Sequence, residues 1–110
     1  MAEYGFVKRL TMDMASAEEK VRAELDKEGF GVLSRLDIAE KLRQKAGADI
    51  DDYVILGACN PPNAWKAVQA EPNIGLLLPC NVILRREGDE TVVGVIKPST
   101  AMGMIENPAL

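Results

Sequence analysis

The chain has 110 residues, 47% of them hydrophobic and 27% charged, with a net charge of −4. That is the size of one domain, with enough apolar side chains for one core and too many for a disordered chain. No histidine is present, which excludes a Ser-His-Asp triad, a Cys-His nucleophile pair and every histidine-containing metal site.

Tyr4 to Met12 alternates in polarity and predicts a strand. Ser16 precedes Glu19 by three residues, the spacing of a capping box. Ala17, Val21 and Leu25 then recur at intervals of four on an otherwise charged helix. Gly29 suits the left-handed residue that closes such a helix, and Phe30 is positioned to fold back on its last turn. Gly31 to Leu36 predicts a short strand paired with the first. Asp37 and Glu40 form a second capping box, followed by Ile38, Leu42 and Ala46 on one face and by Gly47 as a stop. Asp52 to Ala58 is a strand with three consecutive apolar residues, a pattern of burial on both faces.

Asn60 is a good N-cap, and Pro61 fits the first helical position, where a missing N–H costs nothing. Ala64, Trp65 and Val68 are expected to face inward, and Pro72 to stop this helix. Ile74 to Glu87 predicts one long strand, bent or bulged at Pro79, which has no N–H for a ladder. Glu87-Gly88-Asp89 predicts a hairpin turn, and Thr91 to Lys97 the returning strand. Pro98 and Ser99 open a last short helix through Met102 and Ile105. The order β, α, β, α, β, α, β, β, α, with a terminal hairpin and short links, predicts an α+β domain over residues 1–110. Its sheet is mainly antiparallel, with helices packed on one face.

No apolar run is long enough to span a bilayer, and no basic segment followed by an apolar stretch opens the chain. A cytoplasmic location is therefore expected, with Cys59 and Cys80 reduced. The basic residues are scattered, so neither nucleic acid nor an anionic membrane is an expected partner.

Candidate chemistry gathers in Asp52 to Leu84, where two hydrophobic runs each end on a Cys-Asn pair: Cys59-Asn60 and Cys80-Asn81. Cys59 lies one residue before a helix start, which can lower a thiol pKa, although Pro61 and Pro62 remove two N–H donors there. The opposing reading is a small buried hydrophobe. Two thiolates alone do not complete a zinc site, so a soft metal such as Cu(I) fits better than zinc, and no cofactor is assigned. Asn60 reads first as a cap. Asn81 reads as a structural amide or as half of an amide pair orienting a ligand carbonyl. The acidic loop Asp49, Asp51 and Asp52 lacks the glycine and terminal glutamate of a calcium loop.

The opening YGFV, the turn GACNPP, the run AVQAEPNIGLLLPCNV and the closing VVGVIKP resemble the domain-of-unknown-function 302 family across essentially the whole chain. The most specific parts are Asn60-Pro61 and the Ile74-Gly75 to Leu78-Pro79 run. The resemblance implies an α+β fold of the TATA-box-binding-protein-like type, with a curved antiparallel sheet, and assembly as a homodimer. It places the two cysteines in a subgroup and implies no catalytic residue, cofactor or substrate. The leading expectation is thus a ligand-binding or interaction domain, self-associating, with a pocket near Cys59, Asn60, Cys80 and Asn81. No catalytic constellation is recognised. The alternative is a thiol-dependent redox, sulfur-carrying or soft-metal protein using Cys59 and Cys80.

Overall fold

The computed structural model describes residues 5–96, so the helix expected from Pro98 onward lies outside the described residues. Strand β1 (Gly5–Leu10) stops short of Met12 and leads into helix α1 (Met14–Lys27). The cap of α1 is Asp13, not Ser16. The Asp13 carboxylate accepts a hydrogen bond from the Ser16 N–H at 2.7 Å. Both residues are good caps three positions apart, and the earlier one lets Met14 pack against the core. Gly29, at φ 79°, closes the helix as expected, and the Phe30 N–H bonds the Leu25 carbonyl at 2.9 Å.

Strand β2 (Gly31–Asp37) ends on the cap of α2 (Ile38–Ala46). The Asp37 carboxylate accepts from the Glu40 N–H at 3.0 Å, and Gly47 closes the helix in the left-handed region. Strand β3 (Tyr53–Cys59) follows, then α3 (Pro61–Ala70). The expected long strand from Ile74 is not formed. Pro72–Leu77 is a 3₁₀ turn, and strand β4 spans only Cys80–Glu87. Pro72, Asn73 and Gly75 favour turns over pleats, and Pro79 follows a cis peptide bond just before the strand. Within the apolar run, Ile74 is buried while Leu76 is 88% exposed. Gly88, at φ 61°, turns β4 into β5 (Glu90–Ile96).

All pairings in the five-stranded sheet are antiparallel, in the order β1-β5-β4-β3-β2. The α+β class and the antiparallel sheet with helices packed on it are as expected, but the expected pairing of β2 with β1 is not formed: β2 pairs with β3 and β1 with β5, which sets the two at opposite edges of the sheet. Pleat alternation sorts the side chains. Val54, Leu84 and Val93 share a row, as do Leu56, Val82 and Val95. These rows face α1. Ala17, buried on α1, packs with Val54, Leu56, Ala58, Val82 and Leu84, and Val21 and Leu25 continue the stripe. A methyl group at position 17 lets the helix backbone approach the sheet closely.

Two features fasten the frame. The buried Thr91 hydroxyl donates to the Met12 carbonyl at 2.8 Å, and Arg86 Nη1 donates to the same oxygen at 3.0 Å. The β4–β5 hairpin is thereby tied to the link between β1 and α1. At the hairpin tip, Glu87 bonds Arg9 at 2.7 Å and Arg85 at 2.6 Å. The hydrogen bond from Arg9, then that from Arg85, holds the Glu87 carboxyl below its ordinary range. A folded-state pKa below the unfolded one means that this contribution is present above the unfolded carboxylate pKa, about 4.3, and is lost as pH falls through the folded value. Glu87→Gln is therefore expected to be less stable than wild type in urea at pH 7, with the gap narrowing as pH falls below the unfolded carboxylate pKa. A gap independent of pH contradicts that assignment.

The sheet's other face carries a second apolar row: Leu36, Ile55, Ile83, Gly94 and Val7, one residue from each strand. Leu36 and Val7 at its two ends are exposed. Among the described residues, no helix is long and apolar enough to cross a membrane.

Candidate functional site

The register between β3 and β4 builds the site. Ala58 pairs with Cys80, so Cys59, the next residue, is a diagonal neighbour of Cys80. From there the chain leaves β3 through Asn60 into α3, and it returns through the 3₁₀ turn and Pro79 to start β4. The excursion between the two cysteines projects beyond the strand ends. Its helix has no buried residue and packs mainly against the 3₁₀ turn that follows it. The expectation that Trp65 and Val68 face inward is overturned: Trp65 is 63% exposed and Val68 is exposed too. Ala64 and Ala67 instead face the interior space.

That space is a cavity of about 410 Å³ between α3, the end of α1 and the ends of the strands. Leu25, Phe30, Leu78, Val82 and Val95 supply much of its apolar wall, with Ala58, Ala64 and Ala67. Cys59, Asn60, Asn63, Cys80 and Glu28 are its polar or polarisable members. No lysine or arginine lines it among the described residues.

Three of the four expected site residues meet here: Cys59, Asn60 and Cys80. Asn81 does not. Successive side chains of a strand point to opposite faces, so Asn81 follows Cys80 onto the other side of the sheet. There it is exposed and lines a groove with Ile83, Gly94 and Tyr53. The expected amide pair of Asn60 with Asn81 is thus ruled out by the pleat. The contributions of Leu25 and Glu28 from α1 and of Val95 and Ile96 from β5 have no signal in local spacing. Only the sheet order places them beside α3.

Asn60 does act as the cap. Its side-chain oxygen accepts from the Asn63 N–H at 3.2 Å, which leaves the amide nitrogen as a donor. Gly29 lies against that nitrogen, so a methyl group at position 29 would come within 3.3 Å of it. The cap and the end of α1 are therefore in contact at the cavity rim. Asn60→Ala is expected to lower stability by about 0.5–2 kcal/mol through loss of the cap. Urea denaturation measures this, and an unchanged midpoint contradicts it.

Both thiols are free and half-buried. Burial pushes the Cys80 thiol up, and the charge of the Cys59 thiolate pushes it further. With no cation in the described lining, nothing there offsets that penalty. The arrangement disfavours the Cys80 thiolate and does not resemble the electropositive niche of a catalytic cysteine. Among the described residues, no group of three or more His, Cys, Asp or Glu side chains is placed to hold a metal ion. A soft metal here would have the two cysteines alone as its charged ligands.

The comparisons with known proteins bear on the whole chain. No match to a curated protein was found. A solved structure described as an uncharacterized conserved protein DUF302 from Bacillus stearothermophilus superimposes with a TM-score of 0.86. It is 33% identical, over 98% of this chain and 84% of that one. The family model described as Domain of unknown function DUF302 matches residues 6–110. Sequence and fold agree over nearly every residue, and the chain belongs to the DUF302 family.

Proposed function

We propose that this domain binds a small, mainly apolar, uncharged ligand in the cavity beside α3. One observation carries the reading: a space of about 410 Å³ with an almost wholly apolar wall and its few polar groups at Cys59, Asn60, Asn63, Cys80 and Glu28. Small-molecule sites commonly have this size and this balance. An apolar ligand gains by leaving water there, and the Asn60 amide nitrogen is available to a carbonyl or ether oxygen. A charged ligand finds no countercharge except against Glu28. We assign the protein to the cytoplasm, acting as a homodimer. The apolar row Leu36, Ile55, Ile83 and Val7 supports self-association, and sedimentation of Leu36→Glu beside wild type tests it. An unchanged sedimentation coefficient removes that face from the proposal.

The binding reading is tested with N-phenyl-1-naphthylamine, an uncharged fluorescent probe. The expected result is saturable binding of one probe per chain. Ala67→Trp fills the wall from α3 and is expected to weaken binding about tenfold or more, equivalent to about 1.4 kcal/mol. Gln69→Trp, at an exposed position of the same helix, is expected to leave it unchanged. Equal affinity in both variants overturns the site.

A further inference from the structure

We propose that Cys59 and Cys80 are a reversible dithiol–disulfide pair that clamps the base of the α3 excursion. This deepens the cavity reading, since both cysteines belong to that site, but it stands or falls by a separate measurement.

Three observations lead to it. First, the β3–β4 register sets the two residues diagonally across one strand pair. An interstrand spacing of about 5 Å and a rise of about 3.4 Å put their Cα atoms about 6 Å apart, inside the usual disulfide range. A regular pleat would send Cys59 to the face opposite Cys80. Cys59 is the last residue of β3, however, and it lines the same cavity as Cys80 where the chain turns into α3. The proposed bond requires the Cys59 side chain to turn toward Cys80 at that strand end, where the chain leaves the pleat.

Second, the surroundings favour a neutral product. The wall is apolar and holds no lysine or arginine among the described residues. Two thiolates, or a metal ion carrying two thiolates and a net negative charge, lack compensation there. A disulfide carries no charge and loses nothing by burial. Both thiols are only half-buried, so a small reagent reaches them.

Third, the two cysteines bracket one continuous segment, anchored to the fold by the buried Ile74 of its 3₁₀ turn. Everything between them is the α3 excursion, whose helix buries no residue. A bond at its base restricts that excursion as a unit, because cross-linking removes conformations from the open ensemble.

The oxidant is a low-molecular-weight disulfide. The Cys59 thiolate attacks one of its sulfurs and releases one small thiol, leaving a mixed disulfide on Cys59. The Cys80 thiolate then attacks the Cys59 sulfur and releases the second small thiol. Two protein thiols lose two electrons and two protons, and one small disulfide becomes two thiols. Burial disfavours the Cys80 thiolate, which suits it to the second step, where attack is intramolecular and a low thiolate fraction is offset by proximity. In a reducing compartment such a bond is transient, as a redox sensor requires.

The test equilibrates the full chain with buffers of oxidised and reduced glutathione and reads mass, free thiols and amide hydrogen exchange. The expected product has lost two hydrogens, stays monomeric on a non-reducing gel, yields a linked peptide pair containing Cys59 and Cys80, and reverts with excess reduced glutathione. Residues 60–79 then exchange at least about tenfold more slowly than in the reduced protein. Cys59→Ser and Cys80→Ser, each checked for folding by circular dichroism, are expected to accumulate a single glutathione adduct instead. Wild-type protein that gives only glutathione adducts, only intermolecular dimers or unmodified thiols overturns the proposal. If the reduced protein still binds the naphthylamine probe in that case, the cavity reading survives alone. If the disulfide forms and no probe binds in either state, the cavity reading falls and the pair remains.

Discussion

Leu84→Ala is expected to lower the stability of the domain by about 2–5 kcal/mol, the cost of opening a void in the middle of the core. β4 is the central strand of the sheet, and Leu84 on it is fully buried. Its row neighbours are Val54 on one side and Val93 on the other, and α1 lies over it. Neighbours held by two strands and a helix cannot collapse into the vacated space. The cost is therefore the lost transfer energy plus most of the cavity term. Domains of this size have only about 5–15 kcal/mol in total. The melting temperature should fall by roughly 10 to 25 °C. A fall of less than about 4 °C, equivalent to less than about 1 kcal/mol, contradicts the placement of Leu84 at the centre of the core.

Gly57→Val is the second large effect, expected at about 1–3 kcal/mol or more from overpacking. The reason is space, since Gly57 is an ordinary extended residue of β3. A Cβ there runs into the Ser34 hydroxyl of β2 and the Pro79 ring, each closer than real Cβ atoms come. Ser34 sits where the β2–β3 register shifts, and Pro79 immediately precedes β4. The Pro79 ring cannot rotate away, while the Ser34 hydroxyl can yield only by changing its χ1. The strain falls on the strand ends that carry Cys59 and Cys80, so probe binding should weaken along with stability. Gly57→Ala, with one methyl group, should show the same sign at smaller size. A Gly57→Ala protein as stable as wild type contradicts the close approach.

What the sequence discloses divides along a physical line. Features decided by a few neighbouring residues are legible. Asp37 with Glu40 marks a helix start and Gly47 its end, and Asn60 with Pro61 marks another. Here the backbone N–H groups of the first turn must be bonded, and side chains within three residues do it. Even the one error of this kind, Ser16 for Asp13, is a choice between two adequate caps on the same turn. Features decided by partners far along the chain are not legible. The run from Ile74 reads as strand because it is apolar, yet Leu76 is exposed and pairing begins only at Cys80. Trp65 reads as buried because it is large and apolar, yet α3 lies off the strand ends with that side chain in solvent. Asn81 groups with Cys80 because the two are adjacent along the chain, and the pleat parts them. The cavity needs α1, α3, β3, β4 and β5 together, and no local spacing encodes that.

The site that emerges is a thiol-bearing apolar space, and its use follows from its lining. Without a cation beside the cysteines or a third metal-binding side chain among the described residues, the geometry offers shelter from water before it offers reactivity. The sheet's other face offers a different groove, lined by Asn81, Ile83 and Tyr53. A probe that sought any greasy surface would choose between them without preference.

Amide chemical-shift mapping distinguishes the two directly. Uniformly 15N-labelled protein is titrated with N-phenyl-1-naphthylamine and the shifted resonances are assigned. The account predicts saturable shifts at Ala58, Cys59, Asn60, Ala64, Ala67, Cys80 and Val82, with Val7, Leu36 and Tyr53 unmoved. Shifts confined to Val7, Leu36, Tyr53 and Asn81, or no saturable shift anywhere, contradict it.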